Sequence, residues 1–294
     1  MIIAILGSGG REHSICKKIS ESLRVKKIFC IPGNAGTSEI ADNIEIDLNN
    51  FEKIKKFLKK VKVDIVIVGP EKPLVEGIVD YLEKENIKVF GPKKIPSQLE
   101  GSKIFTKKIC KKYKIPTANF GILNNIKEAL FFLKSANFPL VVKADALAAG
   151  KGVYICEKFS EAEVAVKEIF NGKFGKAENV LIEEFLKGDE MSYFIVTDGH
   201  NFKRFQTAQD HKRVFEKDKG KNTGGMGAYS PSTLINEEMD KKIKEKIIIP
   251  TLKAMKDMGQ KYKGFLYAGL MIKKNEPYLI EYNVRMGDPE CQTI

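Results

Sequence analysis

Short apolar runs alternate with longer amphipathic stretches through residues 1–92, and nothing else in the chain constrains its fold so strongly. IIAIL, KKIFCI, IEID, VDIVIVG and IKVFG read as strands. REHSICKKISESL, FEKIKKFLKKV and a stretch from about Pro73 to Glu85 read as helices. Apolar strands separated by helices predict a parallel, doubly wound sheet. Ligands of such sheets bind beyond the carboxyl ends of the strands, which is where GSGGREH, PGNAG and VGPEKPL fall.

A helix, SKIFTKKICKKY, follows. Between about 120 and 190 the order is helix, strand, loop, strand, helix and strand, a small α+β unit. Longer strands come next (MSYFIVTDG, FKRFQTAQ), then the glycine-rich KGKNTGGMGAYSP. A helix from about Glu237 to Met258 is expected to break near Pro250. GFLYAGLMIKK and PYLIEYNVR close the chain as a pair joined by Asn-Glu. The expected fold class is therefore α/β and α+β. Residues 1–102 form a Rossmann-like unit, and 103–294 a second unit with a small subdomain at about 120–190 and the remainder at 191–294.

Composition narrows the function. With 294 residues and 43% hydrophobic content the chain can bury a core. It has no apolar run of 18 residues, and MIIAILGSGG lacks a basic leader, so neither a membrane span nor a signal peptide is expected. Five cysteines, at 16, 30, 110, 156 and 291, form no Cys-x-x-Cys. They fit a reducing cytoplasm better than a disulfide framework or a zinc site. The net charge is +12, but only five of the 50 basic residues are arginine, leaving 45 lysines spread along helices. That pattern reads as a solvated surface rather than a nucleic-acid face, and its field favours anionic small substrates. No His-Glu-x-x-His or Gly-x-Ser-x-Gly is present, so metalloprotease and hydrolase readings lack residues.

The loops carry the chemistry. GSGGREH fails the dinucleotide pattern because Glu12 stands at the third glycine position. It is left as either an anion-binding turn, with Gly9, Gly10 and Arg11 as donors, or a purely structural one. KADALAAGKGV fails the Walker pattern and lies between strands. It reads as a pliable flap whose Gly150, Lys151 and Gly152 fold over phosphates, beside Lys143 at the end of a strand. EYNVRMGDPE places Glu281, Asn283 and Arg285 on one strand face, because side chains alternate. Glutamate and asparagine oxygens suit magnesium, and arginine suits phosphate or carboxylate. In NVLIEEFLKGDE an apolar strand runs into polar groups that could meet a nucleotide base, with Glu190 near enough to accept from ribose, but read alone it is an ordinary strand end.

These segments together resemble the ATP-grasp superfamily. Within it, GSGGREH, PGNAG, VGPEKPL, QLEGSK, KADALAAGKGV, QDHKR, NTGGMGAYSP, GFLYAGLMI and RMGDPE resemble the phosphoribosylamine–glycine ligases, or glycinamide ribonucleotide synthetases, in order from residue 5 to residue 292. The resemblance implies that ATP phosphorylates glycine and that 5-phosphoribosylamine attacks the acyl phosphate, giving glycinamide ribonucleotide, ADP and phosphate in purine biosynthesis. It implies ATP with Mg²⁺ or Mn²⁺, small-molecule substrates, no nucleic acid or membrane partner, and a monomer or weak homodimer. By resemblance, Lys103 and Lys143 hold ATP phosphates, and Glu183, Phe185, Leu186 and Glu190 form the adenine and ribose segment. Glu281 and Asn283 hold the metal. Gly9, Gly10, Arg11 and Glu71 face phosphoribosylamine, and Asp210, Lys212, Asn222, Thr223, Gly224 and Gly225 lie near the joining site. Lys143, Asp210 and Arg285 are the expected catalytic groups. Two departures stand out. Ala146 replaces a usual glycine in the flap. The family also continues past Gly-Asp-Pro-Glu into another domain where this chain stops at Ile294, so it reads as a fragment or a shortened gene product.

Overall fold

The computed structural model describes all residues except 146, 148–151 and 217–218, and all side chains but theirs and those of 213, 219, 221 and 222. Its first sheet has five parallel strands in the order Asp42–Asn43, Lys27–Pro32, Ile2–Gly7, Ile65–Val68 and Val89–Phe90, as the alternation predicts. The order reverses about Ile2–Gly7, so the crevice of this sheet opens beside Gly7 and Gly69.

Three local expectations differ. IEID is not a strand: pairing stops at Asp42–Asn43, and Ile44 and Ile46 pack on the core without a ladder. The helix expected over 73–85 is two, Glu71–Glu76 and Ile78–Glu83, because Gly77 turns left-handed with φ 97°. A further helix, Lys94–Gly101, escaped the sequence reading; it is short, and Pro96 sits in its first turn, where a missing N–H costs nothing.

A second sheet is antiparallel, in the order Phe120–Leu123, Val180–Glu184, Leu140–Ala144 and Val153–Cys156. Helices Ile126–Lys134 and Phe159–Phe170 cover it and share its core of Ala129, Leu133, Val142, Ala162, Val166 and Ile182. The third sheet runs Phe202–Arg204, Asp189–Thr197, Gly264–Lys273 and Glu276–Asn283. Its last hairpin turns at Lys274 and Asn275, both with positive φ, so Glu276 belongs to the strand rather than to the turn. The helical stretch expected to break near Pro250 runs unbroken from Glu237 to Asp257. A π segment, Lys244–Ile248, precedes the proline, which then sits in the first turn of Ile249–Asp257.

The cores show how these parts are joined. Leu6, Val66 and Val89 of the first sheet share one buried cluster with Tyr193, Leu266 and Tyr282 of the third. The second sheet keeps its own. Gly77→Ala is expected to destabilise the chain by about 1–2 kcal/mol, the cost of forcing a Cβ into the left-handed region. Urea unfolding measures it.

Candidate active site

Four segments bring cations to one carboxylate. Glu281 lies near the end of the strand Glu276–Asn283, opposite Gly269, where the pairing slips by one residue. That bulge re-aims the strand beside the cleft. A Cβ on Gly269 would stand 3.4 Å from the Glu281 Cγ, in ordinary van der Waals contact. Burial pushes the Glu281 carboxyl up, but Lys212, Lys143, Lys103 and Arg285 together outweigh it and hold the group below the usual carboxylate range. Asn283, two residues on, is 9% exposed. Among the described residues neither Glu281 nor Asn283 has a side-chain hydrogen-bond partner, so their oxygens remain to be used. Among the described residues no three or more His, Cys, Asp or Glu cluster as a metal cage. Two protein oxygens, one charged, fit a magnesium ion completed by phosphate and water.

Lys143, Lys212 and Arg285 are each braced by a further carboxylate. Lys143, at the end of Leu140–Ala144, is buried and meets Glu183 Oε2 at 3.1 Å. The same oxygen takes Lys107 at 3.2 Å, while Glu183 Oε1 is buried without a partner among the described residues. Sequence reasoning missed Lys107. It sits one turn after Lys103 on the helix Lys103–Tyr113, and this i, i+4 spacing was the available signal. Lys103 opens that helix. Burial pulls its ammonium down, and Glu281 opposes. Ser102 caps the helix by accepting from Phe105 N–H, and Asp145 accepts from Ser102 Oγ and Ile104 N–H, tying the end of the Lys143 strand to the Lys103 helix.

Glu190, expected at ribose, meets Lys212 Nζ at 2.9 Å. Burial pulls the Lys212 ammonium down, but Glu190, Glu281 and Asp210 help carry it well above the ordinary range. Thr223 N–H and Oγ1 both donate to the Lys212 carbonyl, and the Asn222 backbone pairs with Arg213. Gly225, at φ 121°, lies where a Cβ would strike Pro289 at 2.5 Å, so the glycine loop closes on the Asp288–Pro289 turn. Gly224 has open space beside it. Phe185 is half-exposed, while Leu186 is buried with Ala118 and Met271, a small apolar group that the sequence did not reveal. Gly152 accepts from Ala144 N–H at the base of the expected flap. Ala146, Gly150 and Lys151 lie outside the described residues, as does the Asn222 side chain.

Arg285 was expected as an open fork for substrate, but all three of its nitrogens meet protein acceptors. Nε faces Glu71 Oε2 at 3.2 Å, Nη2 faces Glu100 Oε1 at 2.9 Å, and Nη1 donates to the Met286 carbonyl. Burial raises the Glu71 carboxyl, yet Arg285, its own helix N–H and Arg11 hold it below the usual range. Burial carries the Glu100 carboxyl up to about 7 against the pull of Arg285. At the first sheet, Glu12 accepts from Gly9 N–H at 2.7 Å and pairs with Arg11 Nε, whose Nη1 donates to the Met286 carbonyl. A Cβ on Gly7, Gly9 or Gly69 would strike Glu12, and one on Gly10 would strike Gln292. Glu12 thus fills the place the missing glycine would have left.

A family model described as the phosphoribosylglycinamide synthetase N domain matches residues 1–100, and one described as its ATP-grasp (A) domain matches residues 101–291. The chain belongs to the phosphoribosylglycinamide synthetase family. A phosphoribosylamine–glycine ligase of Mesorhizobium japonicum is 47% identical over 295 residues, spanning 100% of this chain and 69% of the relative. The solved phosphoribosylamine–glycine ligase of Thermotoga maritima is 37% identical with TM-score 0.87, over 99% of this chain and 71% of that one. The biotin carboxylase domain of a Hydrogenobacter thermophilus 2-oxoglutarate carboxylase, solved with MgADP and bicarbonate, has TM-score 0.75 at 20% identity over 98% of this chain and 65% of that one, and shares the fold alone. Among the described residues no helix is long and apolar enough to cross a membrane.

Two predictions arise from this synthetase site. Lys107 is 2% exposed and braces Glu183, so Lys107→Met should cost about 3 kcal/mol of stability by stranding buried charge, a little less if Lys143 compensates. Denaturant unfolding checks it. Burial raises the Asp210 carboxyl from its ordinary 3.8 to about 6, with Lys212 opposing. Asp210 is therefore ionised above about pH 6 and neutral below. An acid limb near pH 6 in kcat/KM is expected, and Asp210→Asn should remove it. Because the folded state holds this proton more tightly, the group lowers stability as pH rises from about 4 to 6.

Proposed function

We propose that this synthetase joins glycine to 5-phosphoribosylamine at the expense of ATP, through a glycyl phosphate, releasing ADP and phosphate. One observation carries the reading of the site: Lys103, Lys143, Lys212 and Arg285 surround Glu281, and each acts on its ionisation. Phosphoryl transfer asks the protein for positioning and charge neutralisation more than for a nucleophile, and this cluster supplies both.

In this reading Lys103 and Lys143 hold ATP phosphates, and Leu186 with Ala118 and Met271 offers an apolar wall to adenine. Glu183 Oε1, buried and unpartnered among the described residues, has capacity left to accept from an exocyclic amine. Glu281 and Asn283 would hold Mg²⁺ or Mn²⁺; when bound, that ion neutralises charge between the phosphates. Lys212 balances the carboxylate being activated, and Asp210, ionised at neutral pH, accepts from an amine. Arg11 and Glu71, with the Gly9 and Gly10 backbone, face phosphoribosylamine at the crevice of the first sheet. Exclusion of water from the acyl phosphate is a further demand, because hydrolysis there wastes the intermediate. A cytoplasmic setting, and a monomer or weak dimer, complete the proposal.

The experiment is ADP release coupled to added glycine and freshly made phosphoribosylamine. Release that depends on both substrates supports the ligase, and ADP release indifferent to glycine sinks it. Glu281→Gln and Asn283→Ala should each lower kcat at least about 100-fold at saturating Mg²⁺ with the melting temperature nearly unchanged. Near-normal turnover in both would remove the metal assignment.

A further inference from the structure

Glu100 has no place in the substrate, nucleotide or metal sets above, yet its carboxylate grips the end of the strand that bears Glu281 and Asn283. Its side chain is 8% exposed and comes from the helix Lys94–Gly101. The strand Glu276–Asn283 loses its ladder at Asn283, which pairs with Tyr267. The next backbone donor, Val284 N–H, has no strand to meet, and Glu100 Oε2 accepts it at 2.8 Å. Glu100 Oε1 meets the Arg285 Nη2 at 2.9 Å. One carboxylate thus holds both the peptide between Asn283 and Arg285 and the guanidinium of Arg285.

Capping a strand end does not need a charge, since a backbone carbonyl or an amide oxygen serves and is easier to bury. The carboxylate matters because the second contact is to a guanidinium, where a charge-assisted bond fixes direction as well as distance. Glu71 holds Arg285 from the Nε side and the Met286 carbonyl takes Nη1, but without Glu100 the Nη2 nitrogen loses its charged partner. Rotation at Val284 would swing Asn283 and Arg285 together.

We propose that Glu100 is a positioning residue for the ligation step, fixing the Arg285 guanidinium and the Asn283 end of the strand while touching no substrate. The proposal rests on the reading of Arg285 as part of the ligase centre. It places an essential support in the helix that precedes Lys103, so the nucleotide lysine and the arginine are aligned through one turn of chain.

The test uses the full chain with ATP, Mg²⁺, glycine and phosphoribosylamine. Glu100→Gln keeps an oxygen for Val284 N–H and removes the negative charge that faces Arg285; Glu100→Ala removes both. In the Gln variant kcat should fall about ten- to a hundredfold, the loss typical of a misplaced reacting group. Its KM for ATP should stay within about twofold of the unaltered chain, and Val284 amide exchange should be unchanged. The Ala variant should show the same loss in kcat and faster Val284 exchange, and Glu100→Asp should recover part of the rate. Unaltered kcat in the Gln variant overturns the proposal. So does a parallel fall in melting temperature and ATP affinity, which would make Glu100 a structural tie alone. Loss of glycine dependence in the unaltered chain would overturn the ligase reading itself, and with it this role.

Discussion

Keeping Glu281 ionised among partly buried groups is the constraint on which the rest of the structure depends. Burial alone would protonate it, and the four cations around it reverse that preference. Those cations are themselves partly or fully withdrawn from water, and three of them have a further carboxylate behind them: Glu183 for Lys143, Glu190 for Lys212, Glu71 and Glu100 for Arg285. Charges alternate outward from Glu281 until they reach solvent. At the buried Lys143–Glu183 pair, removing one member strands its neighbour, which is far costlier than losing an exposed pair. The arrangement also fixes positive charge in place before any phosphate arrives, so little reorganisation remains for the reaction.

How legible this was in the sequence varied with the kind of residue. Parallel strands covered on both faces are apolar throughout, so IIAIL and VDIVIVG announced the first sheet. The edge segment IEID misled because alternation without a long neighbour does not make a ladder: its isoleucines pack, but only Asp42 and Asn43 pair. Loop glycines and the Glu-x-Asn-x-Arg spacing marked the site because backbone and side-chain geometry demands those residue types. The ligase family was legible for the same reason.

Lys107, Glu100, Glu12 and Glu290 were not. Each is a charged residue on a helix, where periodicity assigns it to solvent, and Lys107, Glu100 and Glu290 meet partners remote in sequence. Glu100 binds Val284, 184 residues away, and Glu290 accepts from Ser192, 98 away. Period tells which face a side chain occupies, but not which distant group makes burial tolerable. Glu12 shows the limit most plainly. Reading it as a failed glycine position was correct, but that its carboxylate would occupy the vacated turn and hold Gly9 and Arg11 required the fold.

The separate core of the second sheet has a mechanical consequence. A unit that buries its own apolar surface can tilt without exposing it, so the resistance to tilting resides in the ties at its edge. Among the described residues these include the Lys107–Glu183 pair, the bonds of Ser102 and Ile104 to Asp145, the Lys107 ammonium over the Phe120 ring, the Thr117–Leu279 bridge and one small apolar contact about Leu186. The joint is therefore stiffened mostly by charge and hydrogen bonding, not by area. A ligand that competes for those same groups would change the compliance of the joint as it fills the cleft.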